Sequence, residues 1–161
     1  MQARNALVMA VCCMLAACGA DPTRPGLDPD ELAGTYALVE SRGESLPVAS
    51  DSFPRVIGQE QVTCWSVLVS GSLELHRQQN YWITHRRLTE CDNGHSEAQP
   101  DQVETGTFRI EGTVLRFTYY RGEFLPGYRT ATVEGPTITF IQTGQTTPLW
   151  VFERTGSAVP R

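Results

Sequence analysis

The sequence predicts an all-β fold, a small antiparallel up-and-down barrel of about eight strands. From about residue 31 to residue 155, short runs of alternating apolar and polar residues follow one another, separated by turn residues. The 14 glycines and 10 prolines supply many turns, and no window shows a convincing helical period. Strands joined by short turns usually pair antiparallel, and closure hides both sheet edges. We therefore expect a barrel, with a sandwich as the alternative.

The first half of this region contains the less regular strands. A strand is predicted over 34–40, with Tyr36 and Leu38 on one face, and an irregular segment follows at 46–48. The next predicted strands are 53–57, 62–70, 72–77 and 81–87, the last two forming a hairpin about 78–80. In this hairpin the residues predicted to face inward are Leu73, Leu75, Tyr81 and Ile83. The polar segment 90–102 is predicted to be a loop.

The second half has sharper strand and turn signals. Strands predicted over 105–110 and 114–120 flank the tight turn Glu111-Gly112, and strands over 128–134 and 137–142 flank Gly135-Pro136. The last predicted strand is 148–154, with Trp150 and Phe152 on one side. Segment 121–127 is predicted to be a loop that exposes Phe124 and Leu125.

Several segments repeat signatures of one group of small barrels. They are Leu32-Ala-Gly-Thr-Tyr-Ala-Leu-Val39, Gly71-Ser-Leu-Glu-Leu75, Tyr81-Trp-Ile-Thr84, Gly106-Thr-Phe-Arg-Ile-Glu-Gly-Thr-Val-Leu-Arg-Phe117 and Trp150-Val-Phe-Glu-Arg154. In this order they resemble the lipocalin-like, or calycin-type, domains of small bacterial lipoproteins. The resemblance covers about 120 residues and implies the fold more than the function. Tyr36 stands where lipocalins have the tryptophan of a Gly-x-Trp motif, so no ligand contact is transferred from the family.

The N-terminus has the pattern of an export signal. Arg4 is followed by an apolar run over 6–17, which is too short to span a bilayer core of roughly 30 Å. At its end, Leu15-Ala16-Ala17-Cys18-Gly19 resembles the bacterial lipobox. The resemblance implies that residues 1–17 are a cleaved lipoprotein signal peptide and that Cys18, the first mature residue, carries the lipid. An ordinary signal peptide that happens to end near a cysteine is the alternative.

The lipobox also implies a location in the cell. Two or three acyl chains on Cys18 would anchor the chain stably, whereas one chain would not. Gly19 follows the cysteine, where an aspartate would favour retention in the inner membrane. The expected location is the bacterial cell envelope, at the outer membrane, on its periplasmic face or at the cell surface. Residues 18–30 are rich in proline and glycine and are predicted to be a flexible linker, with the barrel over 31–155 and a tail over 156–161.

The cysteines support export. Cys12 and Cys13 leave with the signal peptide and Cys18 takes the lipid, so Cys64 and Cys91 remain. In an oxidising compartment these two are expected to form a disulfide. A catalytic or metal-binding cysteine is the alternative.

Several function classes lack support in the sequence. A net charge of −5 argues against a nucleic-acid partner. His76, His85 and His95 lack metal-ligand spacing and are expected to be solvated. No Gly-x-Ser-x-Gly elbow is present, and Glu40 and Glu153 are expected to be rim charges. We therefore expect no enzyme, no metal and no cofactor.

Aromatic residues are the most suggestive group. The residues predicted to face the barrel interior, and to be candidate ligand contacts, are Tyr36, Tyr81, Phe108, Phe117, Tyr119, Trp150 and Phe152. An eight-stranded barrel either fills with side chains or holds one small ligand. The first functional hypothesis is non-enzymatic binding of a small apolar or amphipathic ligand. The second is a filled barrel that presents loops 90–102 and 121–127 to an unidentified protein partner in the envelope.

Overall fold

A computed structural model describes residues 26–121, 124–141 and 146–157, without the side chains of 120–126 and 157. The predicted signal peptide and Cys18 lie outside these residues. The described residues form one short helix and eleven strands. They are α1 (Pro29–Leu32), β1 (Gly34–Ser41), β2 (Glu44–Ser45), β3 (Val48–Ile57), β4 (Glu60–Leu75), β5 (Asn80–Cys91), β6 (Ser96–Ala98), β7 (Gln102–Glu111), β8 (Val114–Arg121), β9 (Phe124–Glu134), β10 (Thr137–Ile141) and β11 (Pro148–Ser157).

Eight of the strands close into a barrel, which confirms the predicted fold class. Around the barrel the order is β1, β4, β5, β7, β8, β9, β10 and β11, and every neighbouring pair is antiparallel. Both ends of the chain of strands meet at β1, where Tyr36 lies opposite Leu73 of β4 and Leu38 lies opposite Phe152 of β11. We call the end where β1 begins the lower end and the opposite end the upper end.

The remaining strands build a sheet that projects beyond the upper end. The last residues of β4 pair with β1, whereas its first residues, from Glu60 to Leu68, pair with β3. Likewise, β5 pairs with β7 only as far as His85, and its later residues pair with β6. We call β3, β6 and the upper parts of β4 and β5 the projecting sheet.

The sequence predicts two strands, 62–70 and 72–77, where the structure has one. Strand β4 runs through Ser70 and Gly71 with a bulge between Leu68 and Ser70. Gly71 lies within the strand, and its lack of a side chain leaves room for neighbouring residues to pack against the backbone. A Cβ there would lie 3.0 Å from a methyl carbon of Leu38 and 3.1 Å from the His85 ring. The glycine thus permits close packing instead of ending the strand.

Other predicted boundaries also change. Segment 90–102 is not wholly a loop, because β5 extends to Cys91 and β6 pairs with it. In segment 121–127, Arg121 belongs to β8 and β9 begins at Phe124, so these residues are in strands rather than in a loop, while the predicted exposure of Phe124 and Leu125 lies outside the described side chains. The folded part also starts inside the predicted linker, since Leu27 packs against the core and Asp28 caps α1. At the other end, β11 continues to Ser157, which pairs with Gly34.

The lower half of the barrel is filled with side chains. The ring of Phe117 lies 4.9 Å from that of Tyr81, 4.7 Å from that of Phe140 and 5.8 Å from that of Phe108. Helix α1 covers the lower end, where the Tyr36 hydroxyl donates to the Leu32 carbonyl at 2.7 Å. These contacts fill the interior of the lower half among the described residues, and a cavity of about 450 Å³ lies outside it, between α1 and the β9–β10 turn.

Candidate functional site

Four side chains from different strands contact one another across the upper half of the barrel. The guanidinium of Arg129 lies over the ring of Tyr119 at 4.4 Å and over the ring of Trp150 at 4.6 Å. On β5, the His85 ring lies 4.7 Å from that of Trp150. We call Tyr119, Arg129, Trp150 and His85 the transverse row. It separates the filled lower barrel from the upper end.

The transverse row contains a charge that is neutralised inside the barrel. Nη1 of Arg129 donates to both carboxylate oxygens of Glu104, at 2.5 and 2.6 Å. The two side chains are only 17% and 23% exposed, so water screens the pair weakly. The Tyr81 hydroxyl donates to the same carboxylate at 3.0 Å. Burial, and then the charge of Glu104, raise the pKa of Tyr81 above its usual range, so this hydroxyl keeps its proton.

Strand alternation brings these charged residues inside. Glu104 precedes the buried Phe108 by four positions on β7, and Arg129 precedes the buried Ala131 by two on β9. The sequence analysis missed both residues, although the period of two places them on the inward face. Charged residues are usually predicted to lie on the surface. These two can be buried because each neutralises the other, whereas either one alone would be an unpaired buried ion.

Glycines lie opposite Tyr119 on both neighbouring strands, and one of them, Gly127, provides the space for its ring. Gly106 lies opposite Tyr119 on β7, and Gly127 lies opposite it on β9. A Cβ on Gly127 would lie 2.0 Å from Cζ of Tyr119, which no real structure tolerates. The tyrosine ring therefore occupies the volume that a side chain at this position would fill.

His85 contradicts the expectation that it is solvated. It is 8% exposed, and among the described residues Nε2 has no hydrogen-bond partner. Burial, reinforced by the charges of Arg87 and Arg129, lowers its pKa to about 4. His85 is therefore neutral at pH 7. Local sequence does not predict this burial, because a polar residue near the predicted end of a strand is usually exposed.

A cavity of about 540 Å³ lies beside the transverse row. Its described lining combines aromatic, aliphatic and basic side chains: Arg116, Tyr119, Tyr128, Arg129, Thr130, Ile141 and Leu149. Strand β9 pairs with β10 from Thr130 to Glu134, toward the lower end. The described residues of β9 before Thr130 pair with β8. The cavity therefore lies where the β9–β10 ladder ends. It connects inward-facing residues, such as Arg129, with outward-facing ones, such as Tyr128.

The predicted aromatic ligand contacts separate into two groups. Five of them are at most 2% exposed and pack into the core, namely Tyr36, Tyr81, Phe108, Phe117 and Phe152. Tyr119 lines the cavity, and Trp150 contacts Arg129 in the transverse row. Phe140 was not predicted, yet it is fully buried between Phe117 and Phe152.

The Cys64–Cys91 disulfide is present and joins β4 to β5 in the projecting sheet. Arg55 of β3 and Glu97 of β6 form an ion pair at 2.9 Å, linking the two outer strands of this sheet. The hydrogen bond and charge of Arg55 lower the pKa of Glu97.

The remaining predicted polar residues form no common site. His76 contacts the Trp82 ring at 4.8 Å, and His95 lies 3.8 Å from Glu97. Within the described ranges, no three histidine, cysteine, aspartate or glutamate side chains come together as a metal site. In the same part of the chain, no helix is long and apolar enough to cross a membrane.

Comparison with known proteins identifies no relative of this chain. No family model, no curated protein and no solved structure matches it.

Proposed function

We propose that this protein is a lipid-anchored envelope lipoprotein that binds a small amphipathic ligand, without catalysis, at the upper end of its barrel. The observation that carries the proposal is the cavity beside the transverse row. Its volume of about 540 Å³ falls within the range of roughly 300–1,000 Å³ that is typical of small-molecule sites. The packed aromatic core of the lower barrel supports a site at the upper end rather than in the centre of the barrel.

The lining suits a ligand that is apolar at one end and polar at the other. Ile141, Leu149 and the two tyrosine rings offer apolar surface, and Arg129 offers hydrogen-bond donors. The Glu104 carboxylate and the two aromatic rings hold Arg129 in place. A polar group that is fixed before binding loses little conformational freedom when the ligand arrives.

The anchor is supported by the lipobox at 15–19 and by the apolar run that precedes it. We expect the wild-type protein to fractionate with membranes and to incorporate labelled palmitate. We expect a Cys18→Ala mature chain, exported behind an ordinary cleavable signal peptide, to be soluble and unlabelled. Membrane association that persists without Cys18 would contradict the anchor. This Cys18→Ala chain is called the soluble form below.

Native mass spectrometry of the soluble form tests ligand binding without detergent. We expect a co-purifying mass that disappears on denaturation. An Ile141→Asp variant should lose that mass, because a carboxylate would occupy the apolar part of the cavity. Val103→Asp is the matched control, since Val103 is also an exposed strand residue but lies on β7, outside the cavity lining. Retention of the mass by Ile141→Asp would contradict a ligand in this cavity.

An interaction role is the second candidate, and exposed apolar side chains on the outer surface are the places to test it. Val56 on β3 is 69% exposed and Val103 on β7 is 62% exposed. Exposed apolar residues that cluster mark interaction surfaces, whereas scattered ones are ordinary. Crosslinking in intact cells distinguishes the two functions. A partner captured at Val56 or Val103, together with a bare polypeptide mass, would favour interaction over ligand binding.

A further inference from the structure

We infer that the ligand carries an anionic head group, such as a carboxylate, sulfate or phosphate, which Arg129 binds inside the cavity and Arg116 attracts at its opening. This inference rests on the proposed function and specifies the class of ligand.

The first argument is the hydrogen bonding of Arg129. A guanidinium has five N–H donors, and only Nη1 donates to Glu104. The contact with Glu104 uses Nη1 and does not involve Nε or Nη2. Glu104 thus orients the group and leaves donors for a second anion. Arginine binds carboxylates and phosphates through such paired donors.

The second argument is the sign of the charge at the cavity. The whole chain has a net charge of −5, yet the charged residues in the described lining are Arg116 and Arg129. The carboxylates that pair with them, Glu111 and Glu104, lie outside this lining. Both arginines are paired, yet the charged groups that line the cavity are N–H donors, which an anionic head group can accept and a cationic one cannot.

The third argument is that the apolar part of the ligand has its own surface. Tyr119, Tyr128, Ile141 and Leu149 line the same cavity as the arginines. Tyr128 is 73% exposed and faces outward, so this surface continues from the interior to the outside of the barrel. A head group at Arg129 would leave an alkyl or aryl chain in contact with these residues.

The test compares ligands that share one alkyl chain and differ in head-group charge. Decanoate, decanol and decyltrimethylammonium are titrated into the soluble form by calorimetry. We expect decanoate to bind at least tenfold more tightly than the other two, with an affinity that falls as salt rises. If none of the three binds, the proposed function fails. If all three bind equally, ligand binding stands and the anionic head group is refuted.

Paired variants locate the head group. Arg116→Gln should weaken decanoate binding by roughly two- to fivefold, as expected for an exposed charge. Arg86→Gln is the matched control, because Arg86 is 63% and Arg116 is 61% exposed, and each pairs with one carboxylate. The double variant Glu104→Gln/Arg129→Gln removes both interior charges together. It should weaken decanoate by roughly ten- to a hundredfold, the range of charge-assisted hydrogen bonds.

The double variant is assessed only after circular dichroism shows that it folds, and Arg116→Gln with the salt dependence decides the case if it does not. Equal weakening by Arg116→Gln and Arg86→Gln would refute a head group at this opening.

The anion could be a free amphipath or the head group of a membrane lipid. Binding to vesicles of phosphatidylglycerol but not phosphatidylcholine, displaced by decanoate, would indicate the lipid. Binding of decanoate without vesicle binding would indicate the free amphipath.

Discussion

The barrel and the projecting sheet share strands β4 and β5 but are stabilised by different interactions. In the barrel, hydrogen bonds form a closed ring, and rings such as Phe117 and Phe140 are fully buried. Among the described strands, β3 and β6 are the edges of the projecting sheet, and its buried cluster is small, with Val62, Cys64 and Cys91. The disulfide joins its two central strands, and the exposed Arg55–Glu97 pair links its two outer ones. One pair of strands can therefore be held by packing at one end and by covalent and ionic links at the other.

The largest expected effect is in the lower barrel. Phe117→Ala would leave a cavity among Tyr81, Phe108 and Phe140, and we expect it to lower the free energy of unfolding by about 3–5 kcal/mol. Urea denaturation of the soluble form measures the change. Phe53→Ala in the projecting sheet is the control, because Phe53 is 37% exposed. A similar loss in both variants would contradict the proposed difference between the regions.

The disulfide gives the next largest effect. Replacing Cys64 and Cys91 together by alanine should lower the free energy of unfolding by about 2–4 kcal/mol. Because the bond lies in the projecting sheet, we expect faster hydrogen exchange over 60–68 and unchanged protection in β8 and β10. The measurement is exchange followed by mass spectrometry. Loss of protection in β8 and β10 at the same time would show that the two regions unfold as one unit.

The third effect depends on pH and arises at the junction of the two regions. His85 forms the last β5–β7 pair, with Gln102, and its pKa is lowered from 6.5 to about 4. Above pH 6.5, His85 is neutral in both the folded and the unfolded chain. As the pH falls from 6.5 to about 4, only the unfolded chain gains the proton, so the folded state loses about 3 kcal/mol of stability, and no more below pH 4.

His85→Phe removes this titration and keeps a ring beside Trp150. Urea denaturation at several pH values should show a smaller loss of stability between pH 6.5 and 4 in the variant than in the soluble form. His95→Phe, in the turn between β5 and β6, is the control, because the His95 side chain is 38% exposed. Identical pH profiles for the soluble form and His85→Phe would show that His85 is not the group that titrates.

The two regions also differ in how well the sequence predicts them. In the barrel, one face of each strand is buried, so Leu73, Leu75, Tyr81 and Ile83 alternate with outward-facing residues and identify the inward face. Strand β3 is mostly exposed on both faces, so its sequence carries no such period. The bulge between Leu68 and Ser70 also shifts the alternation within β4, which explains why one strand was predicted as two.

The transverse row, together with the Glu104 that pairs with it, could be predicted only in part. Tyr119 and Trp150 are aromatic and were predicted to face inward, whereas Glu104, Arg129 and His85 were not. For Glu104 and Arg129, alternation alone places the side chains inside. Whether a charged side chain stays there depends on a partner from another strand, and that pairing joins β7 to β9 across β8. Local pattern cannot supply this contact, because the two residues are 25 positions apart.

The smallest expected effect tests the role of surface charge in the projecting sheet. Arg55→Gln breaks the ion pair with Glu97, in which the side chains are 40% and 53% exposed, and should cost at most about 1 kcal/mol because water screens such pairs. The double variant Arg55→Gln/Glu97→Gln separates the pair from the individual charges, and its stability is measured by urea denaturation. If Arg55→Gln costs as much as the loss of the disulfide, the ion pair stabilises the projecting sheet as much as the covalent bond does. A small cost, together with a large one for the loss of the disulfide, means that this sheet depends on Cys64 and Cys91, and therefore on an oxidising environment, in a way that the barrel does not.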